Sequence, residues 1–436
     1  MDSFFEFFSF SDPNIRFVVI GSILLTGSSA IVGTFTFLKK KALSGDAVAH
    51  SVLPGICLSF ILYGEKNPVV LIIGAFLTGW LSLILIDIIT ARSKLKEDTA
   101  IGLILSVFFG FGIFMLTIIQ KSGNAAQTGL DHFLFGKAAS LVGSDLIAFS
   151  VVALIVIIGV WIFFKELTLL SFDKDFAVSI GLPARGLELL LSTLTVLAVV
   201  TGIQAVGVIL MAAMLITPAA AARFWTENIR TMLWLAAAFG AFSGLVGAYL
   251  SYAAPSMPTG PWIVIVISLI AFTSFMMAPG KGIFYRIRNQ KRIQKQINDE
   301  NILKTLYQLG EEDKKYFERR SLGDILSKRK FVPTLLKKGL ARLKRAGYLR
   351  QDNGYWSYTQ MGKEKGQRTV KLHRLWELYL TKYLHIAPDH VHDDAETIEH
   401  ILTPELEARL EKLLNYPEVD PHDSIIPYGD GKGHSA

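Results

Sequence analysis

Charge is what the first two-thirds of this chain has least of. Residues 1–280 hold 15 Lys and Arg against 15 Asp and Glu, a formal net of zero. The other 29 basic and 22 acidic residues follow, and with them the whole net charge of +7. Seven of the nine histidines also lie in this later part. A shift this sharp divides the 436 residues into at least two domains. Cysteine is nearly missing. Cys57 stands alone inside an apolar run, which excludes a disulfide framework and reads as a small core residue. No GxxxxGK followed by Ser or Thr occurs, so a P-loop ATPase within this chain is excluded. The N-terminus lacks a positive n-region and a small-residue cleavage site, so the first apolar run is expected to be a mature membrane span.

What the chain does have is long apolar runs. A helix crosses a bilayer core with about 20 apolar residues. Nine segments qualify: 17–38, 47–63, 68–90, 99–119, 144–164, 187–201, 204–222, 231–252 and 260–278. The sixth and seventh lie so close together that one broken hairpin, and eight spans, is the alternative. With the N-terminus outside, eleven basic residues fall in inner loops and four in outer ones, the bias that short loops show. Residue 281 onward is then cytoplasmic. Gly, Ser and Thr scattered through the spans point to a packed polytopic bundle.

The basic stretch 285–298 reads as a solvated linker touching anionic lipid headgroups. ENILKTLYQLG reads as a short helix ending at Gly310, and SLGDILSK (321–328) as another capped by Ser321. In 332–349, Val332, Leu336, Leu340 and Leu343 share one helical face among basic residues. YLRQDNGYWSYT reads as a hairpin turning at Asn353-Gly354. Helix, helix, basic helix, hairpin is the order of a winged helix-turn-helix. Its candidate DNA contacts are Lys337, Lys338 and Arg342, although a tether to the membrane argues against DNA as partner.

Two clusters carry metal chemistry. In LSGDAVAHSVLPG (43–55), Asp46 and His50 are four apart and share a helical face. Ionisable groups at membrane depth are costly and line pathways. Carboxylate plus imidazole suits manganese, iron or zinc without choosing among them. A capping Asp with a His bonded to backbone is the structural alternative. In the tail, HVHDDAETIEH places His392, Glu396, Glu399 and His400 on one face, and HRLWE places His373 and Glu377 on another. Together they offer three imidazoles and three carboxylates, a set suited to a divalent transition metal. Lesser candidates are Asp87, read as internally bonded, and Asp131-His132, read as a solvated outer pair.

LSGDAVAHSVLPG resembles the signature of the ABC-transporter permeases that import manganese, zinc and iron. LDHFLFGKAASLVGSDL (130–146), DKDFAVSIGLPARGLELL (173–190) and VGVILMAAMLITPAAAARF (206–224) resemble further segments of that family. The resemblance spans about residues 10–280. It implies a fold like the type II ABC importers, a homodimeric pore or a second permease paralogue, a cytoplasmic ATPase and an extracytoplasmic metal-binding protein. It also implies that Asp46 and His50 meet metal in the path. It further implies that the loop 165–186 couples to the ATPase through Asp173, Phe176, Gly181, Leu182 and Pro183.

KLHRLWELYL and VHDDAETIEHILTPELEARLEKLL, with PHDSIIP (421–427), resemble the metal-binding and dimerisation domain of the diphtheria-toxin-repressor-like regulators. The resemblance covers about residues 299–427. It implies that His373, Glu377, His392, Glu396, Glu399 and His400 are metal ligands, and Glu396, where iron-type members carry Cys, tilts the tail toward manganese. The pattern is broken at Asn301 and Lys304, where manganese-type members carry two acidic ligands; Asp299 and Glu300 are the nearest carboxylates.

The expectation is an all-α polytopic membrane protein of eight or nine transmembrane helices, followed by a cytoplasmic winged helix-turn-helix and a helical metal-binding and dimerisation domain. Its boundaries are 1–284, 285–298, 299–365, 366–427 and 428–436. The function expected is import of a divalent metal ion across a bacterial inner membrane, manganese before iron or zinc, with a metal-sensing tail. The alternative is a membrane-tethered, metal-dependent DNA-binding regulator.

Overall fold

A computed structural model describes residues 2–64, 67–121, 143–254, 257–385 and 404–428. The chain forms two compact units, residues 1–286 and 287–436.

The first unit is helical among its described residues. A short α1 (Asp2–Ser9) precedes α2 (Pro13–Leu38), α3 (Ser44–Tyr63), α4 (Pro68–Arg92), α5 (Glu97–Lys121) and α6 (Gly143–Ile162). Then come the short α7 (Phe164–Phe172) and α8 (Lys174–Ser179). They lead to α9 (Ala184–Val206), α10 (Val208–Arg223), α11 (Ile229–Ala253) and α12 (Thr259–Met277). The starts are written locally. Asp12, Asn67 and Asn228 cap α2, α4 and α11 by accepting bonds from the next turn, and Pro13 and Pro68 take the first helical position. Among the described residues, eight helices are long and apolar enough to span a bilayer. α10, with 16 residues, is a shorter ninth. The two close segments of the sequence are therefore α9 and α10, broken by Gly207 alone. Its φ of 89° and ψ of 165° lie where a side chain is strained.

α2 is central, packing on α11, α10, α6 and α9, while α3 packs on α4 and α5. Close approach is bought by glycine: a Cβ on Gly55 of α3 would lie 2.1 Å from the Gly74 carbonyl of α4. Ala47, Val48, Val52 and Ile56 of α3 meet Ile86, Ile104, Val196 and Leu215 in the largest apolar core. Cys57 is buried there, with its Sγ 3.8 Å from the Gly112 carbonyl.

The second unit begins within α13 (Ile283–Glu312). Residues 285–298 are thus helical, with Arg286, Arg288, Lys291, Arg292 and Lys295 exposed. Gly310 does not end this helix, as its spacing led us to expect. It is buried inside the last turns, because Tyr316 packs where its Cβ would stand. α14 (Leu322–Lys328) carries a capping box between Ser321 and Asp324. In α15 (Pro333–Arg345), Leu336, Leu340 and Leu343 are buried but Val332 is exposed. Val332 is the N-cap, and its extended backbone (ψ 118°) turns it off the helical face. β1 (Leu349–Asp352) and β2 (Tyr355–Tyr358) pair antiparallel across Asn353 and Gly354, both at positive φ, the two-residue turn that matches strand twist. α16 (Gln360–Leu384) and α17 (Pro404–Leu413) complete the unit. Its winged-helix core gathers Ile302, Leu306, Ile325, Leu340, Trp356 and Val370.

Candidate functional site

Asp46 lies in the first turn of α3, and His50 follows one turn later. The N-cap, Leu43, makes no side-chain cap bond. His50 Nε2 stands 3.9 Å from Asp46 Oδ1. Tetrahedral ligands about 2.1 Å from an ion stand about 3.4 Å apart, so a small side-chain adjustment would bring both groups onto one ion. His50 packs edge-on against Phe109 of α5, with ring centres 4.9 Å apart. Its Nδ1 is sealed from solvent and has no hydrogen-bond partner. The imidazole is thus held by an aromatic wall rather than by the backbone bond of the structural alternative.

An ionic network that spacing did not reveal surrounds the start of α3. Lys39, at the end of α2, bonds Glu188 of α9 at 3.1 Å, and Lys174 of α8 reaches the same carboxylate at 3.0 Å. Burial pushes the Lys39 ammonium below its ordinary value, with the Glu188 carboxylate opposing the shift. Lys41 bonds Asp87 at 3.0 Å and approaches Glu97 at 3.6 Å. Asp87 is thus internally paired, as read. The signal for Glu188 was available: an acid at the start of an apolar span needs a partner.

In the loop 165–186, Asp173 caps α8 by accepting a bond from the Phe176 amide at 2.8 Å. Ala177 is buried, whereas Phe176, Val178 and Ile180 are exposed. Gly181 turns the chain at φ 86°, and Leu182 packs with Leu170, Ala184 and Leu187. Pro183 occupies the N-cap position of α9 without a side-chain cap bond. The product is a short helix seated on the bundle with apolar side chains facing away from it.

In the second unit His373 and Glu377 are buried on α16, with Nε2 and Oε1 2.9 Å apart. His392, Glu396, Glu399 and His400 lie outside the described residues, as do Asp131, His132 and most of the 130–146 segment. Among the described residues no group of three or more His, Cys, Asp or Glu is placed to hold a metal. Asn301 and Lys304 are both buried in α13. Neither neighbouring carboxylate is idle. Asp299 takes a two-pronged bond from Arg342, at 2.9 and 2.6 Å, and Glu300 bonds Gln296 and Lys365. The same pairing occupies the Arg342 fork and raises the guanidinium above its ordinary value, while Lys337 and Lys338 stay exposed.

A polytopic bundle with a partly exposed Asp–His pair on α3, in a chain that also carries a winged helix and a buried His–Glu pair, is the architecture of a metal permease with a repressor-like tail. Residues 11–278 match the ABC 3 transport family, and residues 359–428 match the metal binding and dimerisation domain of the iron dependent repressors. The chain is 40% identical over 404 residues to a manganese transport system membrane protein, MntC, of Bacillus subtilis, covering 92% of both chains. It is 42% identical over 286 residues to a zinc transport system membrane protein, TroC, of Treponema pallidum, covering 65% of this chain and 95% of that one. Among solved structures, PsaBC from Streptococcus pneumoniae in complex with Fab is 34% identical, with a TM-score of 0.57, over 63% of this chain and 96% of that one. The chain belongs to the ABC 3 transport family, with a C-terminal domain of the iron-dependent-repressor type. That is a family of transporter membrane subunits, not of enzymes.

Proposed function

We propose that this chain is the permease subunit of an ATP-driven importer of divalent transition metal, with manganese as cargo and a metal-sensing cytoplasmic tail. The observation that carries the reading is the Asp46–His50 pair, 3.9 Å apart on a buried helix. A carboxylate and an imidazole replace part of the ion's hydration shell, so a divalent cation crosses where a bare charge is excluded. The relative covering nearly the whole of both chains is named for manganese, which favours that ion. Zinc is the second reading, favoured by the name of the treponemal relative.

The partners are a separate cytoplasmic ATPase, an extracytoplasmic metal-binding protein and a second copy of this chain. The ATPase would dock on Phe176, Val178 and Ile180 of the α8 segment, which are exposed and apolar. Lys174, Glu188 and Lys39 then connect α8 to the end of α2, and the next residues lead into Asp46. The N-terminus lies outside and the tail inside.

In the tail, His373 and Glu377 fit a metal: both are buried and adjacent. With His392, Glu396, Glu399 and His400 they would hold one ion, which would supply a charge-neutralising cross-link between α16 and that later segment of the chain. Lys304 puts a basic side chain where a second ion would need an acid, and Asp299 is committed to Arg342. Filling that site restrains transport. Metal analysis of the purified full chain tests the path. Bound manganese that falls on Asp46→Ala supports it; metal content unaltered by Asp46→Ala contradicts it.

A further inference from the structure

A cavity of about 560 Å³ opens where the end of α6, the start of α7 and the start of α11 meet α2. It plays no part in the metal path. Trp161, Phe164, Lys165, Glu166, Arg230 and Trp234 line it, and the rest of its wall is aliphatic. It lies at the ends of two spans, the depth at which bilayer meets water.

Three features point to one kind of occupant. Trp161 is 79% and Trp234 73% exposed, and amphipathic indole rings on a bundle surface favour the headgroup layer. Two cations, Lys165 and Arg230, stand at the rim, and the Arg230 guanidinium is held 5.6 Å over the Phe164 ring. Glu166 turns Oε2 into the protein, sealed from solvent and without a hydrogen-bond partner. Its charge counts at the cavity wall, while that oxygen lies beyond a ligand's reach. Finally, Lys165, Arg230 and Glu166 sum to one positive charge.

We propose that this cavity binds phosphatidylglycerol from the surrounding leaflet. An acyl chain fills the aliphatic wall between the two indoles. The phosphodiester sits between Lys165 and Arg230. The lipid's single negative charge matches the site's single positive one. Phosphatidylethanolamine, with no net charge, leaves it uncompensated. The basic surface of α13 is a separate matter, since those side chains line none of this cavity.

The test is native mass spectrometry of the detergent-purified full chain, titrated with dioleoylphosphatidylglycerol or dioleoylphosphatidylethanolamine. The wild type is expected to hold phosphatidylglycerol more tightly by roughly tenfold, the scale of two cation–headgroup contacts. Lys165→Ala with Arg230→Ala should abolish the preference, and Lys165→Arg with Arg230→Lys should keep it. Equal retention of both lipids by the wild type, or an unchanged preference in the alanine pair, overturns the proposal. A second readout does not depend on the alanine pair folding. Phosphatidylglycerol with brominated acyl chains should quench wild-type tryptophan emission more than that of Trp161→Phe with Trp234→Phe. Equal quenching overturns it, as does a chain-to-chain cross-link through Trp234→Cys, which would give the cavity to a second copy.

Discussion

Asp46 and His50 were legible because they are four residues apart, and a helix alone brings such pairs together. The same holds for His373 and Glu377. Their partners across the fold were not legible: Lys39 and Glu188 are 149 positions apart, and Asp299 and Arg342 are 43. No local pattern encodes such a meeting. Arg342 shows the consequence. A basic recognition helix reads as a nucleic-acid surface, yet its best-formed fork is spent on Asp299. Arg342→Ala is therefore expected to destabilise the second unit by about 1–3 kcal/mol, the scale of a charge-assisted bond. Chemical denaturation followed by tryptophan emission would measure it. Glu407 gives a pH prediction. Burial raises its carboxyl, but bonds from Lys371 and Arg368 outweigh this and hold it below the ordinary glutamate value. A depressed acid contributes stability above its unfolded pKa and loses it as pH falls through the folded value. Amide exchange in α16 should thus accelerate below about pH 4, and Glu407→Gln should remove that added step.

Helices carried most of the fold into the sequence, because apolar runs and Asx-Pro starts mark them directly. Their breaks were harder. Gly310 looked like a terminator, but tertiary contact with Tyr316 demands a residue without a side chain inside a continuing helix. Val332 followed the apolar spacing, but spacing cannot tell a cap from the first turn. Gly207 ends α9 and starts α10 in one residue, and its backbone explains why the two segments could be counted as one or two. Gly207→Ala is expected to cost about 1–3 kcal/mol through strain, seen as a lower melting temperature of the purified chain. The α8 segment allows a sharper test. Lys174, Glu188 and Lys39 tie it to the end of α2. In the assembled transporter, Glu188→Gln should lower metal moved per ATP hydrolysed several-fold while ATP hydrolysis persists, and Glu188→Asp should restore part of the ratio. An unchanged ratio would separate this network from coupling.

Two units of opposite character meet in one chain, and the division in composition near residue 280 made that plain before any coordinates did. The identity of the cargo is written less clearly, because carboxylate and imidazole serve several ions alike. The treponemal relative is matched over 95% of its length by 65% of this chain, so a permease of this kind stands without a tail there. The tail is therefore expected to modulate transport rather than perform it. In vesicles with rising internal manganese, His373→Ala with Glu399→Ala should relieve inhibition; uptake identical to wild type at every internal concentration would remove the feedback. The central claim is that metal crosses beside Asp46 and His50. Radioactive manganese uptake into proteoliposomes bearing the full transporter, driven by ATP, measures this directly. Wild type should accumulate the ion, and Asp46→Ala and His50→Ala should each reduce uptake at least tenfold while assembly with the ATPase is retained. Uptake at the wild-type rate in both variants would contradict the account.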